Sequence, residues 1–343
     1  LFLARDKFGE KPLFYFFSNE YGFIFSSEIK SFLKIDDIKN KLNLNLNSIN
    51  EYLSLNYLTN HKTFLEGVKS LKPASYIIID EKNFKEDVKI RKYWSLEDYF
   101  LKKTNDSFKQ ASEKINFLIK ESVKQKMFSD VDNGVFLSGG IDSSTISLKL
   151  KEIDNHLMSA HNVTFKEEKF DESADAKIVA QYLGIDLNHY LIPNGKELVS
   201  EFPKIIEAMD QPMSDTSFLS TYYLSKFSKK SSKVVLSGDG ADEIFGGYNT
   251  YLADIFRNYL PKISLKSNFI KDLPNKIFKT NLSKVGFDYK ISKFVNGLHY
   301  KKSYSHILWR EIFSDKEKKT ILNKFDKNLI NYSFLKYVDK QIA

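Results

Sequence analysis

Cysteine is absent from this 343-residue chain, which excludes disulfides and thiolate-held metal within it. No apolar run approaches roughly eighteen residues, and no basic segment leads into a short apolar one, so neither a membrane span nor a secretion signal is expected. A cytoplasmic protein is the default expectation. None of the six histidines (61, 156, 161, 189, 299 and 306) sits in an H-E-x-x-H pair, and each is read as structural rather than as a metal ligand. The lysine-bearing phosphate loop G-x-x-x-x-G-K-[ST] is missing. So is the G-x-S-x-G elbow of a nucleophilic serine.

The formal net charge is +8, from 52 Lys and Arg against 44 Asp and Glu. That balance invites a nucleic-acid reading, but no RNP, zinc-finger or helix-turn-helix signature accompanies it. The lysines are scattered over helical polar faces, as in 226–233 and 316–319, and read as a solvated surface. The length suits two domains.

The stretch Gly134–Thr145, G-V-F-L-S-G-G-I-D-S-S-T, organises the rest. Four apolar residues suit a buried strand, Ser138-Gly139-Gly140 forms a turn, and Asp142, Ser143 and Ser144 offer N-capping side chains to a following helix. A strand, a glycine turn and a helix N-terminus in that order make an anion site, since first-turn N–H groups and the helix dipole favour phosphate oxygens. Alone, the loop is ambiguous, because a glycine turn with an Asp/Ser cap usually just starts a helix. A second junction follows about a hundred residues later: the strand Lys233–Leu236, then Ser237-Gly238-Asp239-Gly240-Ala241-Asp242-Glu243 and Gly246-Gly247-Tyr248. In an open parallel sheet both loops lie at strand carboxyl ends, where ligands bind at the topological switch point. Asp142 and Asp242 are then placed to share one Mg²⁺, which takes one or two carboxylates with phosphate oxygens and water.

S-G-G-I-D-S-S and S-G-D-G-A-D-E-I-F-G-G-Y resemble the two signatures of the asparagine synthase (glutamine-hydrolysing) family, within the wider group of ATP pyrophosphatases. L-F-L-A-R-D-K-F-G-E-K-P-L-F-Y followed by F-S-S-E-I-K-S-F-L resembles the closing part of that family's glutaminase domain, with Ser26 where alanine is usual. T-F-L-E-G-V-K-S-L-K-P-A-S-Y is similar to a later part, with Ala74 in place of a glycine, so a different turn geometry is expected there. Tyr93-Trp94 resembles the aromatic pair that closes the domain.

The resemblance implies an α/β fold: a doubly wound parallel sheet of the adenine nucleotide α-hydrolase type with a helical C-terminal cap, preceded by the β-rich end of an N-terminal-nucleophile glutaminase domain. Expected boundaries are 1–95 for the glutaminase part and 107–343 for the ATP-binding part, with a polar linker over 97–107. Expected strands are Leu1–Ala4, Leu13–Phe17, Phe23–Ser26, Tyr76–Asp80, Leu157–Phe165, Asp186–Ile192 and Lys233–Leu236. Expected helices begin at Ser107, run over Ser173–Leu183 with Asp171 as cap and Gly184 as stop, and continue over Glu197–Met209 and Thr216–Lys229. Tyr251–Ala343 is expected to be helical, with breaks at prolines 261 and 274. Strands alternating with helices point independently to a parallel sheet.

By resemblance, Leu137 and Val163 match positions that contact the adenosine of ATP, and Ser237 and Gly238 a further nucleotide contact. Ser138, Gly139, Gly140, Ser143 and Ser144 match the pyrophosphate loop, and Asp142 and Asp242 the magnesium ligands. Asp239 matches a catalytic position implicated in forming the acyl-adenylate; its plainer alternative is a helix cap. Asp6 matches an aspartate that binds the α-amino group of glutamine, against the plainer reading of Arg5-Asp6 as a surface ion pair. Asp210-Gln211-Pro212 and Asp215 resemble a less specific motif, with turn chemistry and substrate contact equally open. The implied activity is ATP-dependent amidation of aspartate with glutamine-derived ammonia. Implied partners are small molecules (aspartate, glutamine or ammonia, ATP) without nucleic acid or membrane, and a homodimer is left open. Three alternatives remain: amidation of another carboxylate, such as a sugar acid or a β-lactam ring closure; a different ATP pyrophosphatase acting on a nucleotide or tRNA; and a non-catalytic nucleotide-binding module. The chain begins at Leu1 inside an apolar run, so a fragment is expected, with the family's nucleophilic cysteine upstream and its catalytic lysine downstream.

Overall fold

The computed structural model describes residues 1–18, 20–59, 61–80, 89–127, 131–154, 159–166, 171–215, 217–259, 287–298 and 300–322. The chain divides into two compact units, one of residues 1–94 with 246–343, the other of 95–245. The first break falls between Trp94 and Ser95.

The first unit carries β1 (Phe2–Ala4), β2 (Phe14–Ser18), β3 (Gly22–Ser26), β4 (Lys69–Ser70), β5 (Ser75–Ile78) and β6 (Ile90–Lys92). They form two antiparallel three-stranded sheets, ordered β1-β5-β6 and β3-β2-β4. Leu3, Tyr15, Leu71 and Ile77 close one core, and Phe14, Ile29, Phe32, Ile38 and Val68 another. Phe14 and Tyr15 point to opposite faces of β2, which is how one strand feeds two cores. Ala74 departs from the expectation of an altered turn: it holds φ +53, so alanine sits in the left-handed region that glycine occupies more cheaply.

Helices Asn249–Tyr259, Phe287–Leu298, Lys302–Arg310 and Asp315–Leu322 agree with the helical reading of the C-terminal stretch among its described residues. Their contacts group them with residues 1–94 instead of with the parallel sheet. Prolines 261 and 274 lie outside the described residues. Part of the grouping is polar. Ile312 and Phe313 donate backbone N–H bonds to Ser54 and Leu53 at the end of helix Leu46–Leu55. Lys318 donates to Asn50 Oδ1 and Ser54 Oγ at 2.8 and 2.7 Å. Lys318 is therefore buried, not part of a solvated lysine face, and it lies four residues before buried Leu322 on one side of its helix.

The second unit is a four-stranded parallel sheet of β7 (Asn133–Phe136), β8 (Ser159–Thr164), β9 (Asp186–Leu191) and β10 (Val234–Leu236), in the order β10-β7-β8-β9. Val135, Leu137, Leu150, Ala160, Ala176 and Ala180 fill the core on one side. Ile192, Ile205 and Tyr223, with Val163 packed on them, fill another. Ser107 caps helix Phe108–Lys126 in a reciprocal capping box with Gln110. Gly184 ends helix Ser173–Leu183 at φ +60. Asp171 accepts the Ser173 N–H at 2.8 Å from one residue before Glu172, which is the N-cap and makes no side-chain cap bond, so Asp171 is not the expected cap. The first three strands run outward in one direction and β10 returns to the other side of β7, so the order reverses between β7 and β10. Among the described residues no helix is long and apolar enough to cross a membrane.

Candidate functional site

β7 ends at Phe136, and helix Ile141–Ile153 begins after Gly140, whose backbone is extended at φ −67 and ψ 160. No side chain caps this helix. That corrects the capping expectation for Asp142, Ser143 and Ser144: all three lie inside the first turn, too far along to cap it. The first-turn N–H groups are consequently left for an outside acceptor. Ser143 folds the loop on itself. Its buried hydroxyl accepts the Ser138 N–H at 3.2 Å, lies 3.0 Å from Ser138 Oγ and donates to the Gly140 carbonyl at 3.3 Å. Ser144 Oγ is buried with no hydrogen-bond partner, an orphan that suits an oxygen-rich ligand.

Two glycines make close approaches. Gly139 has φ +88, and a Cβ there would lie 2.5 Å from the Asp175 backbone carbon, in the first turn of helix Ser173–Leu183. Gly238, after β10, would place a Cβ 2.8 Å from Ser143 N and 2.9 Å from Asp142 Cβ. The two loops singled out in the sequence therefore touch, at the reversal of strand order where open parallel sheets bind ligands. Register agrees: β10 pairs directly with β7, Leu236 opposite Val135.

Asp142 and Asp242 are half-buried and stand on these adjoining loops, Asp242 in the first turn of Ala241–Phe245. Among the described residues no three His, Asp or Glu side chains cluster as a metal cage. Two carboxylates beside an anion-binding loop fit a hard cation that keeps water and phosphate oxygens in its shell, as Mg²⁺ does. Asp239 is exposed, and its carboxylate accepts the Ser237 hydroxyl at 2.9 Å. No helix N–H bonds it among the described residues, so its capping alternative finds no support.

Leu137 is 1% exposed, so its side chain can give a nucleotide only indirect support. Its N–H bonds the His161 carbonyl at 3.0 Å, and its own carbonyl accepts the side-chain amide of Asn162 at 2.8 Å. Val163 lies beyond the last β7–β8 pair, Phe136 with His161. Beside it, the Asp171 carboxyl is held down to about 2 by hydrogen bonds from Thr164 and Ser173, with help from His189.

Asp6, in the first unit, organises its own turn. Its carboxylate accepts N–H bonds from Phe8, Glu10 and Lys11 at 2.9–3.1 Å. Burial pushes its pKa up, but these donors outweigh burial and hold it below the ordinary value. Arg5 forms no ion pair with it among the described residues, which corrects the surface-pair reading. The guanidinium instead grips the carbonyls of Gly9, Lys11 and Leu71 and the Ser70 hydroxyl at 2.7–3.0 Å. Arg5 and Asp6, with Phe2, Ala4, Tyr76, Ile78 and Tyr93, line a surface cavity of about 570 Å³. Asp215 accepts the Ser217 N–H at 2.9 Å and Asp210 has φ +62, so both have turn roles. Asn162 and Lys318 acquire roles that motif reading did not assign.

The family profile described as "Asparagine synthase" matches residues 114–319, and "Glutamine amidotransferase domain" matches 1–94. The chain is 33% identical over 301 residues to a putative asparagine synthetase [glutamine-hydrolyzing] 2 of Methanocaldococcus jannaschii, covering 87% of this chain and 54% of that protein. It is 34% identical over 259 residues to asparagine synthetase [glutamine-hydrolyzing] 1 of Bacillus subtilis, covering 73% and 38%. The chain thus spans about half, or less, of the curated relatives it matches. With the synthase profile matching more than half of its residues, including both loops at the strand reversal, the chain belongs to the asparagine synthase family.

Proposed function

We propose that the protein makes asparagine from aspartate, using ATP and glutamine-derived ammonia, through a β-aspartyl-AMP intermediate that releases pyrophosphate and then AMP. The observation that carries this reading is the contact of Gly238 with Asp142 and Ser143, which joins an uncapped helix start to an acidic loop. The names of the M. jannaschii and B. subtilis relatives supply the acceptor and the nitrogen source.

The aspartate β-carboxylate attacks the α-phosphorus of ATP, and the bond to the pyrophosphate oxygen breaks. First-turn N–H groups after Gly140 and the Ser144 hydroxyl receive the charge that develops on the leaving pyrophosphate. Ser143 keeps the loop in shape from within. Asp142 and Asp242 would hold Mg²⁺, which supplies charge compensation for the phosphate oxygens when bound. Asp239, beside Ser237, borders the reacting carboxylate. Ammonia then attacks the acyl carbon and expels AMP. On the first unit, Asp6 offers a carboxylate for the α-amino group of glutamine.

The test is product analysis on the protein with Mg·ATP, aspartate and either glutamine or ammonia. Asparagine, AMP and pyrophosphate in equal amounts are expected, and Asp142→Asn and Asp242→Asn should abolish pyrophosphate release without unfolding the protein. Acceptor-dependent ADP and phosphate would overturn the reading. Turnover with a sugar acid but not aspartate would move the acceptor to another carboxylate.

A further inference from the structure

We propose that Asn162 is a positioning residue that holds open the last rung of the sheet beside the nucleotide site, leaving the Val163 peptide free to face a base. The inference rests on the nucleotide reading above. Parallel pairing of β7 and β8 runs to Phe136 and His161 and stops. Leu137 still donates its N–H to the His161 carbonyl. Continuing the ladder would next send the Val163 N–H to the Leu137 carbonyl. That bond is not made. The carbonyl accepts Asn162 Nδ2 at 2.8 Å instead, from a side chain only 4% exposed.

The orientation of this amide is fixed from both ends. A carbonyl can only accept, so the group facing Leu137 is the NH₂ of Asn162. Its oxygen then faces His189, opposite it in the β8–β9 register, and His189 Nδ1 lies 2.9 Å away. His189 must therefore carry its proton on Nδ1, whether the ring is neutral or charged. Asp171 interacts favourably with the same ring. Asp171, His189 and Asn162 thus hold one carbonyl at the end of β7.

The consequence falls on Val163. Its backbone N–H and C=O project toward the β7 side, just past the point where β7 leaves the sheet for the Ser138–Gly140 loop. One peptide donor beside one acceptor complements the N1 acceptor and N6 amino group of adenine, and mismatches the N1–H and O6 of guanine. Without Asn162, the Leu137 carbonyl would be free to take the Val163 N–H and close the rung.

Two measurements test this on the protein. The first is equilibrium binding of Mg·ATP and Mg·GTP; the second is hydrogen exchange of the Val163 amide. Wild type should prefer ATP, with a Val163 amide that exchanges freely and slows on adding Mg·ATP. Asn162→Ala should weaken ATP binding by about tenfold and protect the Val163 amide in the absence of nucleotide. His189→Ala, at an exposed position, should weaken ATP binding in the same direction by a few-fold. A wild type that binds no nucleotide would sink the nucleotide reading itself. A wild type that binds ATP, with a folded Asn162→Ala that binds it equally and leaves Val163 exchange unchanged, would sink this inference alone. If Asn162→Ala does not fold, unchanged ATP affinity in His189→Ala overturns it.

Discussion

The Lys318 ammonium donates to Asn50 Oδ1 at 2.8 Å, joining two buried residues 268 positions apart. Asn50 lies in the part of the chain matched by the glutamine amidotransferase profile, and Lys318 in the part matched by the synthase profile. One buried cation therefore ties together two segments that sequence comparison separates. It also donates to Ser54 Oγ and pairs with Asp315 Oδ1.

Lys318→Met should lower the stability of the first unit by about 2 kcal/mol, because Asn50 and Ser54 lose a donor in a site that water does not reach. Urea denaturation followed by a probe in residues 1–94 measures it. A change within about 0.5 kcal/mol, the scale of an ordinary surface substitution, would show that the ammonium is not holding this unit.

Glu311 gives the first unit a pH dependence of opposite sign to that of most carboxylates. Burial pushes its pKa up from 4.5 to about 7, against the pull of Lys318 and Lys293. Below pH 4.5 the group is protonated folded and unfolded, and it costs nothing. Between pH 4.5 and 7 the unfolded chain ionises first, so stability falls as pH rises, and above 7 the penalty is constant. Glu311→Gln should flatten that slope and raise stability at pH 7.5 by an amount on the order of 2 kcal/mol. Thermal melts of both proteins between pH 4 and 8 give the comparison, and parallel curves would exclude Glu311 as the cause.

Asp171 has the ordinary sign. Its pKa lies near 2 in the fold, so its contribution is present above about pH 4 and is lost as pH falls toward 2. Asp171→Asn should lower the melting temperature of the second unit at pH 7, where the contribution is fully present, and change it little near pH 2, so that this part of the acid limb flattens. An unchanged acid limb would mean that the Thr164 and Ser173 hydroxyls do not favour its charged form.

Gly238→Ala should reduce pyrophosphate release by roughly a hundredfold, since a Cβ would force the two loops apart where the reacting groups must be aligned. Gly240→Ala makes the contrast: its φ is +93 but a Cβ meets nothing within 4 Å. That variant should lose about 1 kcal/mol of stability and keep most of its turnover. Equal activity losses in the two would show that strain, not the close approach, decides.

The sequence was most informative where one residue type had one physical reason to be present. Apolar runs gave β7 and β10, Gly184 its helix stop, and paired S-G motifs the adjacency that Gly238 confirms. It was least informative where a polar side chain works at long range. Arg5 next to Asp6 looks like an ion pair until Gly9, Lys11 and Leu71 return to surround it. Lys318 among other lysines looks solvated until Asn50 and Ser54 are brought to it. The Asp142 and Ser143 side chains were misread for a different reason: the composition of a cap is also that of a first turn, and only the extended backbone of Gly140 tells them apart.

The return of β10 to the side of β7 has a consequence for how the protein comes into being. Val235 pairs with Gly134, so the strand that completes the nucleotide crevice is made long after the strand it joins. Closing so large a loop is slow and gives no reward until the pairing is made. On a ribosome, β7, β8 and β9 can associate while β10 is still to be synthesised. A nascent chain thus passes through a stage with an exposed β7 edge and half of the proposed site, and the proposed nucleotide would stabilise the chain only after β10 has docked.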